Sequence, residues 1–222
     1  MITALLSLPL AYLIGSIPSG LLVVRIATGK DVRSIESGRT GGTNAMRAAG
    51  FLAGLATGLL DVLKGAAAVW VSKSIAANVE WMSAASGLLA IVGHNYSAFL
   101  IEKDENGKLH FKGGAGGATT LGAAIGLWAQ SWIFILPFAL IFYIIVGYAS
   151  LTTISIATAA MGVFLIRAIE GSNPWGYVAF GASAIVLVVV ALKPNLQRLK
   201  AGTERRVNLI ARLFKIGDYK KD

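Results

Sequence analysis

Long apolar runs alternate with short polar intervals along this chain. The runs over 2–24, 51–71 and 82–101 each supply the roughly 20 apolar residues that a membrane-crossing helix needs. A fourth run, 119–170, would form a helix about 78 Å long against a hydrocarbon core of roughly 30 Å, so it must fold back on itself. Breaks near Gln130-Ser131 and Gly147-Tyr148 divide it into three crossings. With a last run at 177–192, the pattern predicts an all-α integral membrane protein of seven transmembrane helices. One domain is expected over 1–204, followed by a basic tail at 205–222. Gly15, Pro18 and Gly20 predict a kink in the first helix, with loose packing as the alternative. In the tail, 207–216 mixes apolar residues with Arg212 and Lys215, as either a surface helix or a disordered segment.

Composition agrees with a membrane protein: 55% of the 222 residues are hydrophobic and 14% charged, with a mean hydropathy of +0.68. No basic residue precedes the first run, which is also too long for a signal-peptide core, so it is expected to be retained. The net charge of +9 is concentrated in three intervals. Arg25, Lys30, Arg33, Arg39 and Arg47 lie in the first, Lys103, Lys108 and Lys112 in the second, and the third follows Leu192. The positive-inside rule places all three in the cytoplasm, with the N-terminus outside and the C-terminus inside. That arrangement predicts a multi-pass protein of the inner (plasma) membrane whose basic residues meet anionic lipid rather than nucleic acid. The absence of cysteine excludes disulfides, thiolate metal sites and an acyl-cysteine intermediate. His94 and His110 are the only histidines, which disfavours a histidine-rich metal site, and no cofactor is expected.

The cytoplasmic intervals carry the candidate chemistry. In "FKGGAGGATTLG", Lys112, Gly113, Gly114, Gly116 and Gly117 precede a helix beginning near Thr119. Glycines admit a ligand close to the backbone, and free N–H groups at a helix start favour an anion. Small-residue helix packing is the competing reading. A nucleotide P-loop is excluded, because Val24 and Glu102 occupy the upstream glycine position before Gly29-Lys30 and Gly107-Lys108. In "ESGRTGGTNAMRAAG", Ser37, Thr40, Thr43 and Asn44 offer hydrogen bonds, Gly41 and Gly42 close approach, and Arg39 and Arg47 forked donors suited to phosphate. A helix cap alone would also account for Ser37 or Thr43. Asp61 and Lys64 share a helix face near mid-bilayer, as a structural ion pair or a substrate-linked one. His94 is a packing residue or a ligand.

Six segments, "GSIPSG", "SGRTGGTNAMRAAG", "LDVLKG", "GHNYSAFL", "FKGGAGGAT" and "NLQRLKAGTE", occur in the order of the motifs of the PlsY-type acyl-phosphate:glycerol-3-phosphate acyltransferases. The resemblance covers roughly 15–204. It implies a seven-helix membrane enzyme that transfers a fatty acyl group from acyl phosphate to glycerol 3-phosphate, forming lysophosphatidic acid in phospholipid biosynthesis. It places catalytic roles on Ser37, Arg47 and Asn195, the last followed by Arg198 and Glu204, and phosphate binding on the first loop and the glycine loop. Arg39 and Gly42 stand where the family usually has Asn and Ala, Ala115 where it has a second loop lysine, and Ala191-Leu192 where it has Arg-His. Ser97 replaces a proline, and "EKDENGKLH" is an insertion.

The residues also exclude one alternative catalyst. Acyltransferases with a His and an Asp five residues later have no counterpart here, since Phe99 and Ala115 follow His94 and His110 at that spacing. Acyl phosphate is a mixed anhydride, so positioning and charge neutralisation suffice for its attack. The alternative is a non-catalytic or altered-specificity homologue that binds lipid or phosphate. A transporter is disfavoured by the lack of an internal repeat. A further expectation is that valine at position 114 abolishes donor binding while leaving the protein folded.

Overall fold

The computed structural model of the chain describes residues 2–76 and 79–206. The first apolar run forms α1 (Ile2–Leu5), α2 (Ser7–Ser16) and α3 (Ser19–Thr28). The last two are one broken span, Ser7–Thr28. Pro18 causes the break, because it has no N–H and its ring conflicts with the preceding turn. Gly15 and Gly20 contribute otherwise than expected. A Cβ on Gly15 would lie 2.2 Å from Ala90 O, and one on Gly20 1.9 Å from Thr40 O, so both are points of close backbone approach.

After α4 (Gly42–Ala49) come α5 (Phe51–Ile75) and α6 (Glu80–Asn95). The third apolar run does not stay helical to residue 101, which corrects the expectation from hydropathy. The Ser97 amide donates to Lys112 O at 3.0 Å and its hydroxyl to Ser16 O at 2.6 Å, so tertiary partners end the helix. Strands β1 (Ile101–Lys103) and β2 (Leu109–Phe111) then pair antiparallel, a small departure from an all-α fold. The inserted segment is therefore a hairpin.

The fourth run folds as α7 (Gly117–Leu127), α8 (Trp132–Val146) and α9 (Ala149–Ile169). A 3-10 turn at Ala129–Ser131 and Gly147 at φ 75° make the breaks where the polar positions predicted them. At 11 residues α7 is shorter than a regular crossing. It is buried along almost its whole length, and Gly122 brings it so close to α5 that a Cβ there would lie 1.9 Å from Val62 O. A short helix at membrane depth is tolerated when protein surrounds it. The chain continues as α10 (Trp175–Ala191) and α11 (Lys193–Lys200), bent from each other by 65°.

Four spans are long and apolar enough to cross a bilayer, Ser7–Thr28, Phe51–Ile75, Ala129–Val146 and Ala149–Ile169, and the bent α10–α11 pair makes a fifth. Phe164 packs edge-on against Tyr177 and Phe180 at the centre of the largest buried cluster. Ile133, Phe134, Leu140 and Ile141 of α8 are exposed, as expected of a helix whose outer solvent is lipid. The tail segment 207–216 lies outside the described residues.

Candidate active site

The start of α4 and α5, the end of α6, the start of α7 and α9 and the ends of α8 and α10 meet at one end of the bundle. They enclose a cavity of about 680 Å³. Its polar end is lined by Ser37, Arg39, Thr43, Arg47, Asn195 and Arg198. Its other end is apolar, with Phe51 and Leu55 of α5 facing Leu136 and Leu140 of α8. All four of these apolar side chains are exposed, so this end is open between α5 and α8 rather than enclosed.

Two helix starts point into the polar end. Gly41 precedes α4, and Gly42 and Thr43 of its first turn line the cavity. Gly116 at φ 91°, a left-handed conformation that glycine adopts without strain, precedes α7, whose Gly117 and Ala118 line it. First-turn N–H groups have no partner within their own helix and attract anions. Arg47, in the last turn of α4, makes no hydrogen bond or ion pair with the described residues. Arg39 is half-buried, donating from Nη1 to Gly114 O at 3.0 Å and from Nη2 to Ala191 O. Burial, and then the neighbouring Arg198 guanidinium, lower its pKa from the ordinary arginine value.

Not every expected residue reaches the cavity. Asn44 lines it, but its Nδ2 donates to Val32 O, Ile35 O and Arg39 O at 2.9–3.0 Å, folding the first loop onto itself. Lys112 lies outside the lining, with its Nζ 3.8 Å from Glu102. Gly113 and Gly114 also lie outside it, packed on the end of α6. Asn195 does line it, donating to Glu204 Oε1 at 2.9 Å, while Arg198 Nε donates to Glu204 Oε2 at 3.1 Å. Glu204, which lines the cavity too, thus fixes two of its side chains, and its place in the "NLQRLKAGTE" motif was the signal for it.

Beneath the glycine loop lies a buried cluster. Lys64 Nζ is 2.9 Å from Asp61 Oδ1 and donates to Ile17 O at 2.7 Å, the carbonyl beside the Pro18 break. His94 Nδ1 is 3.5 Å from the same Asp61 oxygen. The ion pair thus joins α5 to the broken first span and to α6. Asp61 and His94 also line the cavity, so it is built into the site as well as into the helix packing.

A sequence description of the glycerol-3-phosphate acyltransferase family matches residues 5–202. The chain belongs to that family. It is 41% identical over 205 residues to Glycerol-3-phosphate acyltransferase 2 of Moorella thermoacetica, covering 91% of this chain and 97% of the relative. It is 35% identical to the Glycerol-3-phosphate acyltransferase of Thermus thermophilus, over 93% and 96% of the two chains. Crystal structures of PlsY, an integral membrane glycerol 3-phosphate acyltransferase, are similar in fold. The glycerol 3-phosphate form gives a TM-score of 0.79 at 28% identity, covering 95% of this chain and 98% of that one. The lysophosphatidic acid form gives 0.77 at 30% identity with the same coverage.

In this acyltransferase the positions that depart from the family motifs converge in space. Arg39 bonds the carbonyl before Ala115 and the carbonyl before Leu192, so one guanidinium reaches both places where the motifs usually put Lys and His. The expectation for position 114 needs correction. A Cβ there would lie 2.0 Å from His94 Nε2, a ring confined by buried neighbours. Gly114→Val should therefore destabilise the protein by about 1–3 kcal/mol through overpacking, before any ligand is added. Thermal unfolding of the ligand-free variant in detergent checks this, and a melting temperature equal to that of the parent refutes it.

Proposed function

We propose that the chain transfers a fatty acyl group from acyl phosphate to glycerol 3-phosphate, releasing inorganic phosphate and forming lysophosphatidic acid for phospholipid biosynthesis. The observation that carries this reading is a single cavity whose polar end holds two helix starts and the arginines Arg39, Arg47 and Arg198 and whose apolar end opens sideways. The first suits phosphates and the second an acyl chain arriving from the bilayer. Relatives solved in glycerol 3-phosphate and lysophosphatidic acid forms support the acceptor and the product.

In the reaction the acceptor hydroxyl attacks the carbonyl carbon of the mixed anhydride. The carbon–oxygen bond to phosphate breaks, and the departing phosphate takes the hydroxyl proton. Ser37 orients the hydroxyl. Arg47, without a partner among the described residues, and Arg39 neutralise phosphate charge. The N–H groups of Gly42, Thr43 and Gly117 cradle phosphate oxygens. Gly41 and Gly116 set the two helix starts. Asn195, braced by Glu204, contributes from the α11 side. Asn44, Lys112, Gly113 and Gly114 act through the loops they shape. Purified protein given acyl phosphate and glycerol 3-phosphate should form lysophosphatidic acid. If it acylates no phosphorylated polyol, a binding homologue replaces the enzyme.

We further read the shorter α6 and α7 as crossings that protein shields, bringing the total to seven, with the active site at the cytoplasmic face of the inner (plasma) membrane and the tail from 205 onward inside. Basic residues crowd the cavity end of the bundle, which supports that orientation. Single cysteines introduced into this cysteine-free chain at 80 or 172 should react with an impermeant reagent on intact cells, and those at 36, 108 or 205 should not. Labelling at 108 or 205 would reverse the orientation.

A further inference from the structure

The hairpin has two unlike faces. Its register pairs Ile101 with Phe111, Glu102 with His110 and Lys103 with Leu109. Antiparallel partners project to the same side, and successive residues alternate. Ile101, Lys103, Leu109 and Phe111 therefore share one face, and Glu102 and His110 the other. The second face is turned to the first loop, where Glu102 accepts from Arg33 Nη1 at 2.9 Å. Both faces are exposed, and the first is the apolar one: Ile101, Leu109 and Phe111 are 43–49% exposed, and Phe99, just before β1, is 58% exposed.

The packing sets the depth of this face. Ser97 is bonded to Ser16 in the broken first span, and Leu100 is buried against Leu21 and Val24 of α3. From Val24 the α3 helix continues for four more residues, to Thr28, about 6 Å along the span axis. Residues 99–111 thus leave the bundle beside the last turns of a membrane span rather than beyond its end. Charge points to the same surroundings. Glu102 is tied to Arg33, and Asp104 to His110 at 2.9 Å, whereas Lys103 and Lys108 make no ion pair among the described residues. Glu105 is the one hairpin carboxylate left without a partner among them.

We infer that the hairpin is a membrane-interface anchor, with Phe99, Ile101, Leu109 and Phe111 seated in the headgroup–acyl boundary and Lys103 and Lys108 on anionic headgroups. Apolar residues flanked by lysines are the pattern that holds a segment in that plane. The hairpin adjoins the glycine loop directly: Ser97 N bonds Lys112 O, and Gly113 O accepts from Thr40 N of the first loop at 3.3 Å. Seating it in lipid would hold the glycine loop, and with it the start of α7, at a fixed depth relative to the bilayer.

The test uses Leu109→Cys and Phe111→Cys, each labelled with an environment-sensitive fluorophore in the full-length protein in nanodiscs, with Asn106→Cys at the turn as the water-facing reference. At 109 and 111, emission should shift to the blue, nitroxide-bearing lipid should quench strongly and aqueous iodide weakly, with the reverse at 106. Lys103→Glu combined with Lys108→Glu should weaken the lipid quenching at 109 more in phosphatidylglycerol discs than in phosphatidylcholine discs. Equal iodide quenching at 106, 109 and 111 would overturn the anchor. Protection that appears only with two copies per disc would assign the face to a second copy and overturn it too.

Discussion

Arg39→Asn should lower the specificity constant for glycerol 3-phosphate roughly tenfold to a hundredfold, the loss of one charge-assisted contact worth about 1.5–3 kcal/mol. The substitution restores the residue usual in the family motif, so a loss of activity from it would mark a local adaptation. Its basis is the position of the guanidinium between the glycine loop and the end of α10, bonded to Gly114 O and Ala191 O and lining the same cavity as Ala115 and Leu192. Neither Ala115 nor Leu192 can supply a charge. If Arg39 carries the charge they lack, Arg39→Asn with Ala115→Lys should recover much of the activity, because Ala115 also lines the cavity. Initial rates against acceptor concentration distinguish the cases. Melting temperatures of the same variants separate a lost charge from a lost tie between loop and helix. An unaffected single variant would reduce Arg39 to that tie.

Asp61→Leu should cost about 3–5 kcal/mol of stability, because it leaves the Lys64 ammonium buried without a counter-charge. Only Ile17 O would remain as its hydrogen-bond acceptor among the described residues. Lys64→Met added to Asp61→Leu removes both charges and should restore most of the stability, since buried pairs are often replaceable by apolar residues of similar volume. Thermal unfolding in detergent gives the comparison. Activity of the double variant then resolves the two readings of the pair. Turnover retained by a stable double variant assigns it to holding α5, α6 and the broken first span together. A stable but inactive one would place Asp61, through the adjacent His94, in the substrate chemistry.

The sequence by itself determined the membrane class, the apolar spans and the breaks at 130–131 and 147–148. Each depends on local quantities, namely an apolar run of bilayer length and a residue that interrupts it. The ordered motifs likewise marked the first loop, the glycine loop and Asn195 as parts of one site. Only the tertiary structure decided where helix gave way to hairpin, since Phe99, Leu100 and Ile101 extend the apolar run while distant Ser16 holds the hydroxyl of Ser97 and Lys112 its amide. It also decided that Lys112 faces Glu102 rather than the cavity, and that Gly114 is small because His94 stands against it. The reach of Arg39 to carbonyls next to positions 115 and 192 belongs to the same class. Side-chain direction and close backbone approach depend on which helices meet, and residues far apart in the chain come together only when the bundle closes.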